Sequence, residues 1–498
     1  MEGFLENSDL LIYSLLLPLI AALTAWNIKN PNTREGITLL IAVISFAVVL
    51  NIYSRLCTET DISLLLVKLF DGAAIKFKVD FLGVLFALIA SFLWIVTTIY
   101  SIGYMRGNNE ANQGRFYCFF AISIFAALGV AFSGNMLTLF LFYEILTIAT
   151  YPLVAHSGTA EAKREARKYL GILLGTSIGL QLPAILWTYY TAGTLDFSQI
   201  PLLEDKISPE IAGILLLLFI FGVGKAAVMP FHKWLPAAMV APTPVSALLH
   251  AVAVVKAGLF TILKVIVYVF GVENLQGMLS ENINALGWVP WVAAFTVITA
   301  SIIAIRQDNL KLRLAYSTVS QLSYAVMAAG LFNYKAIMAG SIHIAAHAFA
   351  KITLFFAAGA IYTACKKKKV SELSGLAKRM PLTAAAFTIG AISMIGLPPT
   401  AGFISKFYLM QAAHVRSEYF VIELIISTVL NAAYFLPIIL AMYFKKEDVA
   451  AQGKYKDHGE APMPILIALS ITALMTIAIF IFPEPLLNIV QNFVNNVG

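Results

Sequence analysis

The stretch IAGILLLLFIFGVGKAAVM, residues 211–229, decides the fold. It has the length of a membrane-spanning helix and none of the two-residue alternation of a barrel strand, yet it holds a lysine, Lys225. Comparable apolar runs recur along the 498-residue chain, of which 60% is hydrophobic and only 12% charged, far from the globular norm. An all-α polytopic membrane protein is therefore expected. The first run, LLIYSLLLPLIAALTAW, follows the acidic MEGFLENSD instead of a basic segment, and no small-residue cleavage site comes after it. It reads as a retained first helix.

Runs and breaks give about fourteen spans, at 9–27, 37–53, 80–103, 116–132, 135–154, 169–191, 211–230, 243–270, 287–305, 314–331, 336–362, 382–412, 420–444 and 463–483. Loop charge tests this count independently, because basic residues are retained on the cytoplasmic side. Odd-numbered loops hold Lys29 and Arg34, Arg106 and Arg115, AKREARK at 162–168, Lys233, RQDNLKLR at 306–313, KKKK at 366–369 with Lys378 and Arg379, and Lys445, Lys446, Lys454 and Lys456. Even-numbered loops are poor in base, as in TLDFSQIPLLEDKISPE and GVENLQGMLSEN. A single miscounted helix would scramble this alternation. The expectation is a multi-pass protein of the cell inner (plasma) membrane with both termini outside. The net charge of +7 then follows from topology, without nucleic acid as a partner.

Removing the loop residues leaves a short set of bases at membrane depth: Lys225, Lys256, Lys264, Lys351 and Lys406, with His250, His343 and His347. Among the acids only Glu144 is deep, since Asp80, Glu418 and Glu423 lie near expected helix ends. A charged group at a helix centre costs roughly 2.5–3.5 kcal/mol on insertion scales, so these residues must face one another or water. Lys264 lies near a helix end and reads first as a snorkelling anchor. His343 and His347, at i and i+4, share a helix face and fit either an interhelical hydrogen bond or a proton relay. Without a deep acid or cysteine beside them they do not read as a metal site.

Proline marks two spans as interrupted. Lys225 precedes Pro230, and Pro398 and Pro399 precede Lys406; each proline removes a donor and frees a carbonyl one turn back, which is tolerated at membrane depth only around a polar cavity. Broken spans 7 and 12 lie five spans apart, the pattern of inverted five-helix repeats in transporters. The expected organisation is 1–110 for spans 1–3, 111–270 for the first repeat (spans 4–8), 271–445 for the second (spans 9–13), and 446–498 for a cytoplasmic loop and span 14.

Glu144, GKAAVMPFHKWLPAAMVAPTPVSALLHAVAVVKAG at 224–258, DNLKLRLAYSTVSQLSYAVMAAG at 308–330, HIAAHAFAKITLFFAAG at 343–359 and GLPPTAGFISKF at 396–407 together resemble the antiporter-like subunits shared by respiratory complex I, Mrp-type cation/proton antiporters and membrane-bound hydrogenases. Fourteen spans without a long C-terminal extension, and Lys406 in the twelfth, look like the Mrp D subunit or its counterpart in a membrane-bound hydrogenase, where the chain would be a proton- or sodium-pumping module. The resemblance implies a Glu144–Lys225 coupling pair, a central relay of Lys256 with His250, a bridge of His347 and Lys351 to the second half, and a terminal proton site at Lys406. It also implies partner membrane subunits, with protons and Na+ as the transported ions. At about 7 Å and an effective dielectric of about 20, a carboxylate–ammonium pair is worth roughly 2.4 kcal/mol, enough for its opening to change whether a lysine keeps its proton.

Two other classes stay open on sequence: a secondary carrier for an organic solute, which would need groups matched to a substrate, and a structural anchor of a redox complex. A catalytic redox site within the chain is not indicated. Cys57, Cys118 and Cys365 are scattered, and no phosphate-binding loop occurs, so no cofactor is expected.

Overall fold

The computed structural model describes residues 7–58, 61–446 and 459–497. Among them, α1 (Asn7–Asn27) and α2 (Pro31–Leu56) lead into a β-hairpin, β1 (Ser63–Phe70) and β2 (Ala73–Lys78), and then α3 (Phe81–Gly107), α4 (Gln113–Ala131) and α5 (Met136–Val154). The bundle continues with α6 (Ala160–Ala192), α7 (Pro209–Gly222), α8 (Thr243–Phe270), α9 (Ile283–Ile305), α10 (Leu310–Gly330) and α11 (Tyr334–Cys365). It closes with α12 (Pro381–Ile395), α13 (Ala401–Arg416), α14 (Glu418–Phe444), α15 (Met463–Ile481) and α16 (Glu484–Val497). Eleven of these helices are long and apolar enough to cross a membrane. The other three expected spans are the more polar α10, the broken span that begins as α7, and the one split into α12 and α13. The architecture is all-α and polytopic. Lys454 and Lys456, counted above in the last basic loop, lie outside the described residues.

Local sequence starts these helices in a repeated way. Asn30, Asp80, Asn135, Thr159, Asn309 and Asn333 each accept a backbone N–H of the first turn, satisfying donors that have no partner within the helix. Three elements escaped the sequence reading. The hairpin turns at Asp71-Gly72, where Gly72 has φ +78°, a conformation available without strain to glycine; Asp-Gly between apolar runs was the visible signal. A helix at Val272–Glu281 occupies what reads as a polar loop. Amphipathic α16 buries Leu486, Ile489, Val490 and Phe493, a helical stripe, against α3 and α11.

Burial separates the helices into two kinds. Helix α11 is enclosed over its whole apolar length and α8 almost so, whereas α2, α14 and α15 leave most of theirs at the surface. A helix apolar all round can sit in lipid, but the two that carry most of the deep bases occupy the centre. Helix α8 is also irregular, with π-helical turns at Leu248–Val252 and Val265–Phe270, the first containing His250.

Both interruptions are present. After Gly222 the chain leaves the α-helix, passes through a 3₁₀ turn at Gly224–Ala226 that contains Lys225, and reaches α8 through short turns. The second break falls between Ile395 and Ala401, and Lys406 lies in the second turn of α13. Close packing at the breaks requires glycine. A Cβ on Gly258 would lie 2.5 Å from the Ala226 nitrogen, and one on Gly402 would overlap the Ser393 carbonyl oxygen. A Cβ on Gly36 of α2 would meet nothing within 4 Å.

Gly402→Ala is therefore expected to cost about 1–3 kcal/mol through overpacking and to lower the thermal unfolding midpoint of the detergent-solubilised protein by several degrees. Gly36→Ala leaves that midpoint unchanged or slightly raised. Equal midpoints for both variants would show that the second break is not seated as described.

Candidate functional site

The first break places Lys225 against α5. Its Nζ donates to the Tyr143 carbonyl at 2.8 Å and to the Thr147 hydroxyl at 2.5 Å, and lies 3.1 Å from the Tyr143 ring centroid. The Lys225 backbone N–H donates to the Tyr143 hydroxyl at 3.1 Å, and the freed Gly224 carbonyl accepts from Trp234 Nε1 at 2.8 Å. Lys225 is fully buried. The Glu144 pair implied by the resemblance is not in direct contact: among the described residues no ion pair joins the two, and both Glu144 carboxylate oxygens are buried without a hydrogen-bond partner. The physical reason is local. Thr147 is one turn further along α5 than Tyr143, so both offer oxygen to the ammonium on a face that Glu144 does not share.

From α8 the Lys256 Nζ meets His347 Nδ1 of α11 at 2.6 Å. The His347 and His343 rings, one turn apart, have centroids 5.7 Å apart. His343 Nδ1 then meets the Ser405 hydroxyl at 3.1 Å, next in sequence to Lys406, while its Nε2 lies 3.0 Å from the Gln321 carbonyl. A carbonyl can only accept, so that nitrogen carries the proton. Lys406 Nζ donates to the Ile395 carbonyl at the second break, at 2.9 Å, and sits 5.0 Å from the Tyr324 ring centroid. Gly396 has φ +93°, and a Cβ there would lie 2.5 Å from the Lys406 side chain, so glycine opens the space this lysine fills.

Lys256, His347, His343 and Ser405 thus form a buried series from the first half of the chain to the second, ending beside Lys406. Two expected members stand to its side. Lys351 donates to the Ser317 hydroxyl at 2.7 Å and the Leu314 carbonyl at 3.5 Å, and His250 Nδ1 meets the Thr318 hydroxyl at 3.0 Å, so both lead toward α10. The contacts from α8 to α13 run through the two histidines, with Lys351 off that line. One ring nitrogen of His250 and one of His347 are buried without a partner. Sequence reading missed the hydroxyl partners, because serine and threonine are common in membrane helices and only the fold shows which ones face a base.

Lys264 is not a snorkelling anchor. It is 2% exposed, ringed by Phe197, Phe260 and Tyr268, and pairs with Asp80, the N-cap of α3. Asp80 also accepts from the Tyr268 hydroxyl and the Gly83 N–H, each at 2.7 Å. This pair lines a cavity of about 420 Å³ on the base-poor face. On the opposite, base-rich face a cavity of about 530 Å³ is lined by Glu110, Thr243, Lys311 and Tyr362 among others. Burial raises the Glu110 carboxyl above its usual range, with Lys366 and Lys311 opposing, so this loop residue holds a proton to higher pH than a free carboxylate.

Comparisons with known proteins bear on the family and the fold. Residues 133–431 match the family described as NADH:quinone oxidoreductase/Mrp antiporter, TM, and residues 72–117 match NADH-Ubiquinone oxidoreductase (complex I), chain 5 N-terminus. NADH-quinone oxidoreductase subunit N of Desulforudis audaxviator is 32% identical over 423 residues, 82% of each chain. NAD(P)H-quinone oxidoreductase chain 5 of a Picosynechococcus strain is 32% identical over 66% of this chain, which spans only 50% of that longer relative. A chain of an archaeal membrane-bound sulfane sulfur reductase superposes with a TM-score of 0.85 at 25% identity, covering 98% of both chains. A chain of the Mrp complex from Dietzia sp. gives 0.85 at 19% identity, covering 99% of this chain and 97% of that one.

The Lys264–Asp80 geometry generates a stability prediction. Breaking a fully buried pair from one side costs about 3–5 kcal/mol; Asp80 is part-buried on a cavity wall, so Lys264→Ala and Asp80→Asn should each lower the thermal midpoint by less than that full cost implies. The double variant Lys264→Met, Asp80→Asn should recover part of the loss. An unchanged midpoint in Lys264→Ala would return this residue to the role of a surface anchor.

Proposed function

This chain belongs to the NADH:quinone oxidoreductase/Mrp antiporter transmembrane family, and from that premise we propose that it is the proton-translocating component of a multisubunit membrane complex. The observation that carries the reading is the buried series Lys256–His347–His343–Ser405 ending at Lys406, with contacts of 2.6 Å and 3.1 Å and a ring spacing of 5.7 Å. Lysine and imidazole both accept and release protons, and a series of bases held away from lipid has little use other than passing charge. Glu144 acts on Lys225 through space. When the carboxylate is ionised it favours the ammonium, and when it is neutralised or moved the proton passes on toward Lys256. His250 and Lys351, hydrogen-bonded to α10, are proposed as side branches that adjust Lys256 and His347.

We place the complex in the plasma membrane with the base-rich face in the cytoplasm and both termini outside, following loop charge. Residues 111–270 and 271–445 then act as two repeats, after the leading spans of 1–110 and before 446–498. Protons enter from the cavity at Glu110 and leave at the opposite face near Lys406. The finer assignment is the Mrp D subunit of a Na+/H+ antiporter, which rests on the motif resemblance and on Lys406 in the twelfth span. In that setting other membrane subunits are its partners and Na+ is the exchanged cation. A second reading is a pumping module of a redox-driven complex. It is favoured by the identity to a quinone oxidoreductase subunit N and by 98% mutual coverage with a chain of a sulfane sulfur reductase. Co-purified subunits separate the two, since iron–sulfur absorbance would accompany the redox complex alone.

The test uses inverted vesicles containing the assembled complex and a pH-sensitive dye. Lys225→Ala and Glu144→Gln should each reduce proton movement at least tenfold at normal expression. Lys406→Arg should fail as well, because guanidinium keeps the charge but does not release its proton. Wild-type rates in Lys225→Ala would overturn the reading.

Orientation is tested separately. Cysteines placed at 366–369 should react with an impermeant thiol reagent only from the cytoplasmic side, and cysteines at 196–206 only from outside. The reverse pattern would invert the direction assigned to the series.

A further inference from the structure

Glu423 lies in the second turn of α14, where sequence reading sets it aside as a helix-end residue. Its two carboxylate oxygens are buried and have no hydrogen-bond partner. Among the described residues, Glu144 is the one other carboxylate with both oxygens in that condition. A buried carboxylate without hydrogen bonds is costly unless it holds a proton or faces an opposite charge. Both have such a charge within electrostatic reach, and in each case it is a break lysine: Lys225 for Glu144 and Lys406 for Glu423.

The intervening groups are polar. Lys406 Nζ lies over the Tyr324 ring, and the Tyr324 hydroxyl is hydrogen-bonded to Ser427 and accepts from Asn431 at 3.1 Å. Glu423, Ser427 and Asn431 stand at i, i+4 and i+8, so they form one stripe of α14 directed at Tyr324 and the second break. Depth orders the two titrating groups. Lys406 is ten residues, about 15 Å of helix, from the end of α13 at Arg416, whereas Glu423 is five residues, about 8 Å, from the start of α14 at Glu418. Glu423 is therefore nearer the base-poor face.

We propose that Glu423 is the proton partner of Lys406, giving the second half of the chain its own carboxylate–lysine switch and its last protonation site before the base-poor face. The inference rests on the proton-translocation reading above. A single proton is shared: transfer from the Lys406 ammonium to the Glu423 carboxylate leaves a neutral amine and a neutral carboxylic acid, with no other reactant. Release from the acid then restores the carboxylate, which favours reprotonation of Lys406 from the His343 side. The titratable groups facing Glu423 are Lys406 from α13 and Tyr324 from α10, with His343 of α11 behind them.

The experiment compares Glu423→Gln, Lys406→Gln and the double variant in the assembled complex, with Lys225→Ala as reference. Each single variant should lose at least tenfold in proton movement, and the double should be no worse than either single, because the pair works as a unit. Infrared difference spectra of the wild type should show a protonated-carboxyl band that Glu423→Gln removes and whose pH midpoint moves in Lys406→Gln. A merely structural glutamate would not respond to Lys406. Glu423→Asp should restore part of the rate. Wild-type rate and pH profile in Glu423→Gln while Lys225→Ala is inactive would overturn the proposal and leave the proton-translocation reading standing. Activity in Lys225→Ala as well would instead remove that reading. If Glu423→Gln does not assemble, the Glu423→Asp rate and the response of the band to Lys406→Gln decide the question.

Discussion

A buried lysine in a membrane must be enclosed by protein, and the rest of this structure follows from enclosing several. Helices α8 and α11 carry Lys256, His343, His347 and Lys351 and are surrounded by other helices, while the helices of simpler composition form the outer layer. The desolvation cost that forbids these bases at the lipid face fixes which helices are central. Once central, they can meet: Lys256 and His347 come from helices far apart in sequence and touch at 2.6 Å. The same enclosure makes each hydroxyl and carbonyl around the bases matter, because no bulk water replaces a missing partner.

The two breaks solve different problems with the same means. At the first, the chain unwinds around Lys225 itself, and the ammonium is held by oxygens of a neighbouring helix. At the second, the helix restarts before Lys406, which reaches back to a carbonyl freed by the interruption. In each case a backbone group left over by the break is taken up by a side chain, the condition under which irregular backbone is tolerated at membrane depth. Each break also has a carboxylate near it that no hydrogen bond satisfies. Such groups are a source of instability in an ordinary core, and their position near the break lysines is the feature on which the proposed charge movement rests.

Family and fold place this chain among membrane subunits that work inside larger assemblies. Relatives in quinone oxidoreductases and similar chains in an Mrp complex and a sulfane sulfur reductase share its architecture over much of their length. The buried series of bases lies within this chain.

The sequence by itself determined the class of fold, the order of the apolar helices, the two interruptions and the bases at depth, because length, hydropathy and proline act locally and leave a direct mark on residue order. It also held signals that went unread: Asp-Gly at 71–72 for the hairpin, the apolar stripe of α16, and Glu423, Ser427 and Asn431 on one face of α14. The tertiary structure alone decided who meets whom. It turned Lys264 from an anchor into the partner of Asp80, set Tyr143 and Thr147 rather than Glu144 against Lys225, and made His343 the step from His347 to Ser405. Those outcomes depend on the rotation and closeness of helices distant in the chain, on glycines such as Gly258 and Gly402 that permit the approach, and on a packing geometry that no local pattern encodes.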